Sequence, residues 1–269
     1  MKQNILFLGC GKMGAILLHN LIEEKSALAS EIKVIKPTNK KSFSAEIKCF
    51  KDAGQLPKNY QADLVFLTIK PQESAKVLAQ FANNKIFHSN TIFISILAGK
   101  KITFFEKIFG KKAKIVRAMP NLPTQYSQGI FAYLCNQNIK KLELKKLEKI
   151  FNKFGAIIEL ESENLFNVIT AIFGSGPAYI FLLQEIFYEI AQSHKIKKEQ
   201  ALELTKQLFL GSALMSCNSE IDFENLRQDV TSKGGTTEAA LKILQKNSAL
   251  KNLFKKALNA AIDQSKKLA

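Results

Sequence analysis

Two short stretches, widely separated along the chain, carry residue types from which chemistry could be built. The first, Gly9-Cys10-Gly11-Lys12-Met13-Gly14, spaces its glycines as G-x-G-x-x-G. That spacing has meaning when it ends a strand and opens a helix. The first glycine then permits a tight turn, the second lets a pyrophosphate reach the backbone, and the third allows close helix–strand packing. The second stretch is Asp229-Val230-Thr231-Ser232-Lys233-Gly234-Gly235-Thr236-Thr237, followed by an amphipathic segment from Glu238. Hydroxyls and paired glycines at a helix start can form a nest of N–H groups for a carboxylate. A well-capped helix with a flexible entry accounts for the same residues equally well.

Other candidates stand where strands should end. An NAD site usually places a carboxylate after its second strand to hold the ribose hydroxyls. Here that strand ends in Lys36-Pro37-Thr38-Asn39-Lys40-Lys41, and the nearby acid, Glu31, sits at its start. Lysines and a hydroxyl suit a 2′-phosphate, so Lys36 and Thr38 favour NADPH, with NADH as the alternative. Thr68-Ile69-Lys70-Pro71, Ala98-Gly99 and Arg117-Ala118-Met119-Pro120-Asn121 end further strands, where the ligand crevice of a doubly wound sheet lies.

The elements that must hold these residues follow from apolar periodicity. Brief runs at residues 4–8, 32–35, 64–69, 91–97 and 113–118 alternate with amphipathic stretches at 13–24 and 72–82. This predicts βαβ units and a mainly parallel sheet. Strands near 129–134 and 155–160 flank a helix at 139–154. From about Ser162 helical patterns take over, at 164–173, 177–193, 198–217, 223–230, 236–245 and 249–267. The expected organisation is α/β plus all-α, with a Rossmann-type domain over 1–161 and a helical dimerisation domain over 162–269. The stretch 177–190 is apolar on nearly every face, predicting burial at the centre of its domain or in a subunit interface.

Composition narrows the function classes. An apolar fraction of 46% with 23% charged residues is that of an ordinary globular protein. The most apolar stretch, 168–190, is interrupted by Gly174-Ser175-Gly176-Pro177. No membrane span or signal peptide is therefore expected, and a cytoplasmic protein is. Cys10, Cys49, Cys135 and Cys217 form no close pair, and His19, His88 and His194 lack metal spacing, so neither disulfides nor a metal is expected. The net charge of +16 comes from scattered lysine pairs without interleaved aromatics, which argues against nucleic acid as the partner.

Together these motifs resemble the pyrroline-5-carboxylate reductase family. Its substrate loop typically reads Val-Thr-Ser-Pro-Gly-Gly-Thr-Thr, matched here at Val230, Thr231, Ser232, Gly234, Gly235, Thr236, Thr237 and, further on, Leu241. Gly9–Gly14, Lys70-Pro71-Gln72, Ala98-Gly99, Arg117–Asn121 and Gly174–Tyr179 match in the family's order. The resemblance implies NAD(P)H-dependent reduction of Δ1-pyrroline-5-carboxylate to L-proline. It also implies a homodimer formed through the C-terminal helices, in a family that often builds rings of dimers. Thr237 would hydrogen-bond the ring nitrogen, while Ser232 and the amides of Gly234, Gly235 and Thr236 hold the carboxylate. Glu220 and Asp229 complete the substrate set, Asp229 standing where an uncharged amide is common. Leu8, Gly9, Cys10, Gly11, Lys12, Met13, Gly14, Thr68, Ile69, Lys70, Pro71, Ile96, Leu97 and Ala98 would contact the cofactor. Lys233 departs from the family's usual proline.

Three rival readings make different demands. A reductase for another imine would share most of these residues. A β-hydroxyacid dehydrogenase needs a lysine on the helix after its Gly-x-Gly turn, where this chain has Ile180, and an asparagine where it has Leu183. A non-catalytic dinucleotide sensor or nucleic-acid-binding protein leaves Ser232–Thr237 without a task.

Overall fold

The structure, a computed structural model, describes residues 3–36 and 47–267. It divides into two compact units, Met1–Ser175 with Ala261–Ala269, and Gly176–Ala260. The first unit therefore runs past the change in character at residues 161–163 and takes in the end of the chain.

Its sheet has eight strands: β1 (Ile5–Leu8), β2 (Ile32–Ile35), β3 (Lys48–Phe50), β4 (Ala62–Leu67), β5 (Phe87–Ser95), β6 (Lys114–Pro120), β7 (Gly129–Cys135) and β8 (Gly155–Glu159). Their spatial order is β3-β2-β1-β4-β5-β6-β7-β8. Neighbours are parallel throughout except for β6 and β7. The central strands are covered on both faces and so read as unbroken apolar runs. Alternate side chains feed two cores. Ile5, Phe7, Val34, Phe66 and Ile94 meet Leu17 and Leu21 of α1 (Lys12–Glu23) and Phe151 of α4 (Lys141–Phe151). Leu6, Leu8, Val65 and Phe93 meet Leu78 of α2 (Ser74–Ala79) and Phe105 of α3 (Ile102–Phe109). Phe7 and Phe66 face each other in register, with rings stacked at 4.7 Å.

The chain leaves β1 toward β2 and β3, then returns to place β4 on the other side of β1. This reversal opens a crevice at the carboxyl ends of β1 and β4, where ligands of doubly wound sheets bind. β3 has no clear sequence signal, since it is three residues long and mostly exposed.

Beyond β8, α5 (Leu165–Ile169) passes into a π-turn over Thr170–Gly174, closed by the Ser175 N–H donating to the Thr170 carbonyl at 2.9 Å. The interruption expected at Gly174-Ser175-Gly176-Pro177 thus does not end the helix. The run Leu165–Ser193 is long and apolar enough to cross a membrane by length and composition, contrary to the expectation that no segment would be. The end of β6 pins its first part. Asn121 donates to the Phe173 carbonyl at 3.0 Å and accepts from the Ile130 N–H at 2.8 Å. The Arg117 guanidinium lies 4.1 Å from the Phe166 ring centre and 2.9 Å from Glu163 Oε1. Glu163 also accepts the Ile102 N–H that opens α3.

The second unit holds α6 (Gly176–Ser193), α7 (Lys198–Cys217), α8 (Phe223–Asp229), α9 (Thr236–Gln245) and the first part of α10 (Ala249–Lys267). Burial of the 177–190 stretch at the centre of its domain does not occur. No residue of α6 is buried, and Phe181, Leu182 and Ile190 are each more than half exposed. The physical reason is that α6 is covered along one side only, against α7, where the Phe187 and Phe209 rings meet edge-on at 5.6 Å. An apolar groove of about 670 Å³ between α6, α7 and α8 is lined by Leu183, Phe187, Leu208, Phe209, Phe223 and Val230.

Removing the Arg117 side chain strands a largely buried Glu163 carboxylate. Arg117→Ala is expected to cost about 3 kcal/mol, the scale for breaking a buried pair. That loss lowers the melting temperature by roughly 6–10 °C at this chain length. An unchanged melting temperature in calorimetry would show that the pair contributes no net stability.

Candidate active site

The glycine turn after β1 is built by contacts that leave no room for a side chain. Gly9 has φ +78°, and a Cβ there would come within 2.9 Å of the Ile69 backbone. Its N–H donates to the Ile35 carbonyl at 2.8 Å, so the turn hangs from β2. The Thr68 hydroxyl, buried at the end of β4, donates to the Gly9 carbonyl at 2.9 Å. Thr68 also faces the first turn of α1, where a Cβ on Gly14 would lie 2.6 Å from Thr68 Oγ1. Gly11 differs: it is exposed, and an added Cβ meets nothing within 4 Å. The turn thus holds an open approach at Gly11 over the N-terminal amides of α1, which lack partners within the helix. That open space is what a pyrophosphate requires.

Beside the turn lies a cleft of about 410 Å³ lined by Leu8 and Gly9 at the end of β1, Ile35 of β2, Ile69 after β4, and Glu73 and Val77 at the start of α2 and within it. Lys51, Asp52 and Gly54 also line it. They were not expected, because β3, which delivers them, is not legible in the sequence. Asp52 is turned inward locally, accepting the Gly54 N–H at 2.9 Å. The turn, the free amides and the cleft fit a dinucleotide.

The other predicted cofactor residues are placed as follows. Leu8 is buried at the end of β1, while Lys12 is exposed and Met13 half-buried at the start of α1. Cys10 is half-buried; its surroundings push the thiol up to about 12, with burial outweighing the opposing pull of the Lys36 charge, so it is no ready nucleophile. Lys36 is itself buried, with its N–H donating to the Phe50 carbonyl. Thr38 lies outside the described residues. Lys70 is exposed, and Pro71 precedes α2 in a turn, with the Ser74 hydroxyl donating to its carbonyl at 2.6 Å. Ile96, Leu97 and Ala98 follow β5, with the Leu97 N–H donating to Ser95 Oγ at 3.2 Å. Glu31 is a helix-turn residue that accepts the Leu28 N–H at 3.0 Å, which agrees with its exclusion as a ribose ligand. Arg117 and Asn121, expected by position as ligand contacts, are committed to holding the segment after β8.

The second candidate site belongs to the second unit. Asp222 caps α8 by accepting the Asn225 N–H at 2.9 Å, and the Thr231 hydroxyl donates to the Arg227 carbonyl at 2.6 Å at the other end. Asp229 is exposed at the end of α8, and Glu220 is exposed in the connection before it. Gly234 has φ +72°, and a Cβ on Gly235 would lie 2.5 Å from Ser232 Oγ. The loop therefore folds Ser232 over the start of α9. The Gly235 N–H donates to the Ser232 carbonyl at 3.0 Å, and the Gly234 N–H to Glu238 Oε2 at 2.6 Å. Among the described residues, the hydroxyls of Thr236 and Thr237 make no hydrogen bond. They stand on the first turn of α9 beside amides with no helical acceptor. Glu238 was not singled out from sequence, although an acid three residues after a helix's start residue is a recognisable signal.

Residues 163–268 match the family model described as pyrroline-5-carboxylate reductase dimerisation, and residues 4–99 match NADP oxidoreductase coenzyme F420-dependent. A pyrroline-5-carboxylate reductase of Pseudomonas aeruginosa is 32% identical, over 98% of this chain and 96% of that one. A solved pyrroline-5-carboxylate reductase from Coxiella burnetii is 34% identical with a TM-score of 0.88, covering 100% of this chain and 99% of that one. A Plasmodium falciparum pyrroline carboxylate reductase, solved with NADP bound, is 28% identical with the same TM-score and coverage.

The glycine geometry separates two effects of substitution. Gly11→Ala should leave the melting temperature unchanged and weaken NADPH binding by about tenfold or more, because the methyl fills the approach to the backbone. Gly14→Ala should lower the melting temperature, since Thr68 must move. NADPH fluorescence titration and calorimetry on both variants check this; a destabilised Gly11→Ala would contradict it.

Proposed function

The chain belongs to the pyrroline-5-carboxylate reductase family, and from that premise we propose how its residues share the work. It is an NAD(P)H-dependent oxidoreductase that reduces the C=N bond of Δ1-pyrroline-5-carboxylate to L-proline, the last step of proline biosynthesis. Its substrate is a small molecule, and its helical domain self-associates. We take residues 1–161 as the dinucleotide domain and 162–269 as the helical, dimerising, substrate-binding domain.

The observation that carries the residue assignment is the start of α9: unengaged hydroxyls beside unpartnered helix amides, under a folded-back Ser232. Ser232, Thr236 and the first amides of α9 hold the substrate's carboxylate, with Gly234 and Gly235 shaping the loop. Glu220 and Asp229 border this region. In the first unit, Leu8, Gly9, Cys10, Gly11, Lys12, Met13 and Gly14, with Thr68, Ile69, Lys70, Pro71, Ile96, Leu97 and Ala98, form the cofactor site, the pyrophosphate lying over Gly11 and the start of α1. Lys36 and Thr38 are assigned to the 2′-phosphate, making NADPH the preferred cofactor. The Plasmodium falciparum relative solved with NADP bound supports this preference.

When bound, the cofactor supplies the hydride. The chain's own contribution is to orient the imine and to quench charge as its nitrogen becomes an amine. Reduction adds hydride to carbon and a proton to nitrogen, so a group hydrogen-bonded to that nitrogen stabilises the change. Thr237 is assigned this role, since a hydroxyl serves at neutral pH without titrating. Holding the substrate by its carboxylate fixes the imine's orientation toward the hydride donor.

We assign the exposed face of α6, with the groove beside it, to a second copy of the chain. A partner's helix supplies the second layer that the unit lacks, and the family model's dimerisation function supports this. This pairing also accounts for the apolar run Leu165–Ser193 without a membrane, in keeping with a cytoplasmic enzyme. Sedimentation at micromolar concentration should find a dimer or a ring of dimers; a monomer would overturn the assignment.

NADPH oxidation with pyrroline-5-carboxylate tests the chemistry. Thr237→Ala should reduce turnover by roughly 10²-fold with folding and NADPH affinity intact, and NADH should be used less well by the wild type. Full activity in the variant would keep the enzyme and remove Thr237 from the mechanism.

A further inference from the structure

Two of the three loop amides that the family resemblance assigns to the substrate's carboxylate are engaged within the chain. Gly235 N–H closes a turn onto Ser232, and Gly234 N–H donates to Glu238 at 2.6 Å. Glu238 is the third residue of α9, and its side chain reaches back across the helix start to the loop. Its second partner is Lys242 Nζ, 3.4 Å away and one turn further along the helix. The Gly234 N–H and the Lys242 charge hold this carboxyl below the usual carboxylate range. It is therefore ionised at neutral pH.

The tip of this loop, Lys233-Gly234-Gly235, is the segment with the most backbone freedom to lose. Among the described residues, the Glu238 contact is the one side-chain bond to a backbone group of that tip. The residue it bonds, Gly234, is in the left-handed conformation at φ +72°, and Ser232 Oγ lies close over the next residue, Gly235.

We propose that Glu238 is a positioning residue for the substrate's carboxylate. It pins the Gly234 N–H, fixing Ser232 and the first amides of α9 as a preformed array. This rests on the assignment of the substrate to this loop made above. A second carboxylate near the bound one is tolerable because Lys242 neutralises it and Lys233 adds a further cation, in surroundings open to solvent. Glu238 touches neither substrate nor cofactor in this scheme; it acts through the loop.

The test compares Glu238→Ala with Glu238→Gln, whose amide oxygen can accept the same N–H. Glu238→Ala should raise KM for pyrroline-5-carboxylate by about tenfold, with kcat and the KM for NADPH within about twofold of wild type. Glu238→Gln should recover most of that loss. A substrate-independent readout runs alongside: amide exchange at Gly234 should accelerate in Glu238→Ala and stay slow in Glu238→Gln. An Ala variant with unchanged KM and unchanged exchange overturns the proposal. So does one in which kcat and the melting temperature fall and both KM values rise together, since that is a folding role. Faster exchange in Glu238→Ala, together with a wild type that does not turn over pyrroline-5-carboxylate, would keep the positioning role and remove the substrate assignment.

Discussion

Everything at the cofactor end depends on one close approach, that of Gly14 at the start of α1 to Thr68 at the end of β4. The sheet's reversal puts β4 beside β1, so the helix leaving β1 must cross the end of β4. With a Cβ 2.6 Å from the Thr68 hydroxyl, any residue but glycine would force Thr68 or α1 to shift. Thr68 uses the same position to bind the Gly9 carbonyl, which fixes the peptide leading into the turn. Its burial is thus what permits its function. A threonine read by position as a ligand contact serves first as the strut that holds the ligand's cradle.

The second site reaches a related solution by different means. Both leave backbone N–H groups without helical acceptors at a helix start, the kind of place where anions bind, and both need glycine where the chain doubles back. At the first site the restraint is long-range: β2 and β4 hold the turn. At the second it is local, because Ser232, Gly234, Gly235 and Glu238 restrain one another within seven residues. Such a loop can be built on an exposed helix without a core beneath it. No residue of α9 is buried, so side-chain packing cannot supply the rigidity that hydrogen bonds supply here.

How much of this could be read from the chain follows from the physics of each element. β1, β2, β4 and the long C-terminal helices were legible because burial on both faces or a helical period writes itself into many residues. β3 was not, since a short edge strand with polar side chains carries no such pattern. The π-turn escaped because Gly174-Ser175-Gly176-Pro177 reads as a break, whereas the helix absorbs it with an i→i+5 bond anchored by the distant Asn121. Arg117 and Asn121 looked like ligand residues because they end a strand at the crevice. Only tertiary structure shows that their polar groups are already used by Glu163, Phe173 and Ile130. The glycine motifs could be placed from sequence; their partners, Thr68 and Glu238, needed the fold.

The helix α6 links the choice of chemistry to the choice of partner. A β-hydroxyacid dehydrogenase would need a lysine where Ile180 stands and an asparagine where Leu183 stands. Either would put a hydrogen-bonding head group among the apolar residues Phe181, Leu182, Ile186 and Phe187, on a helix whose exposed polar residues, Glu185, Glu189, Gln192 and Ser193, lie toward its C-terminal half. Ile180 is 47% exposed, and Leu183 lines the apolar groove, so both belong to the surface assigned to a second copy. Burying an unpaired lysine in such an interface costs far more than an isoleucine gains there. On the assignment of this face to a second copy, a proton donor on α6 would be buried without a partner, whereas reduction of an already polarised C=N bond can proceed with a hydroxyl on another helix.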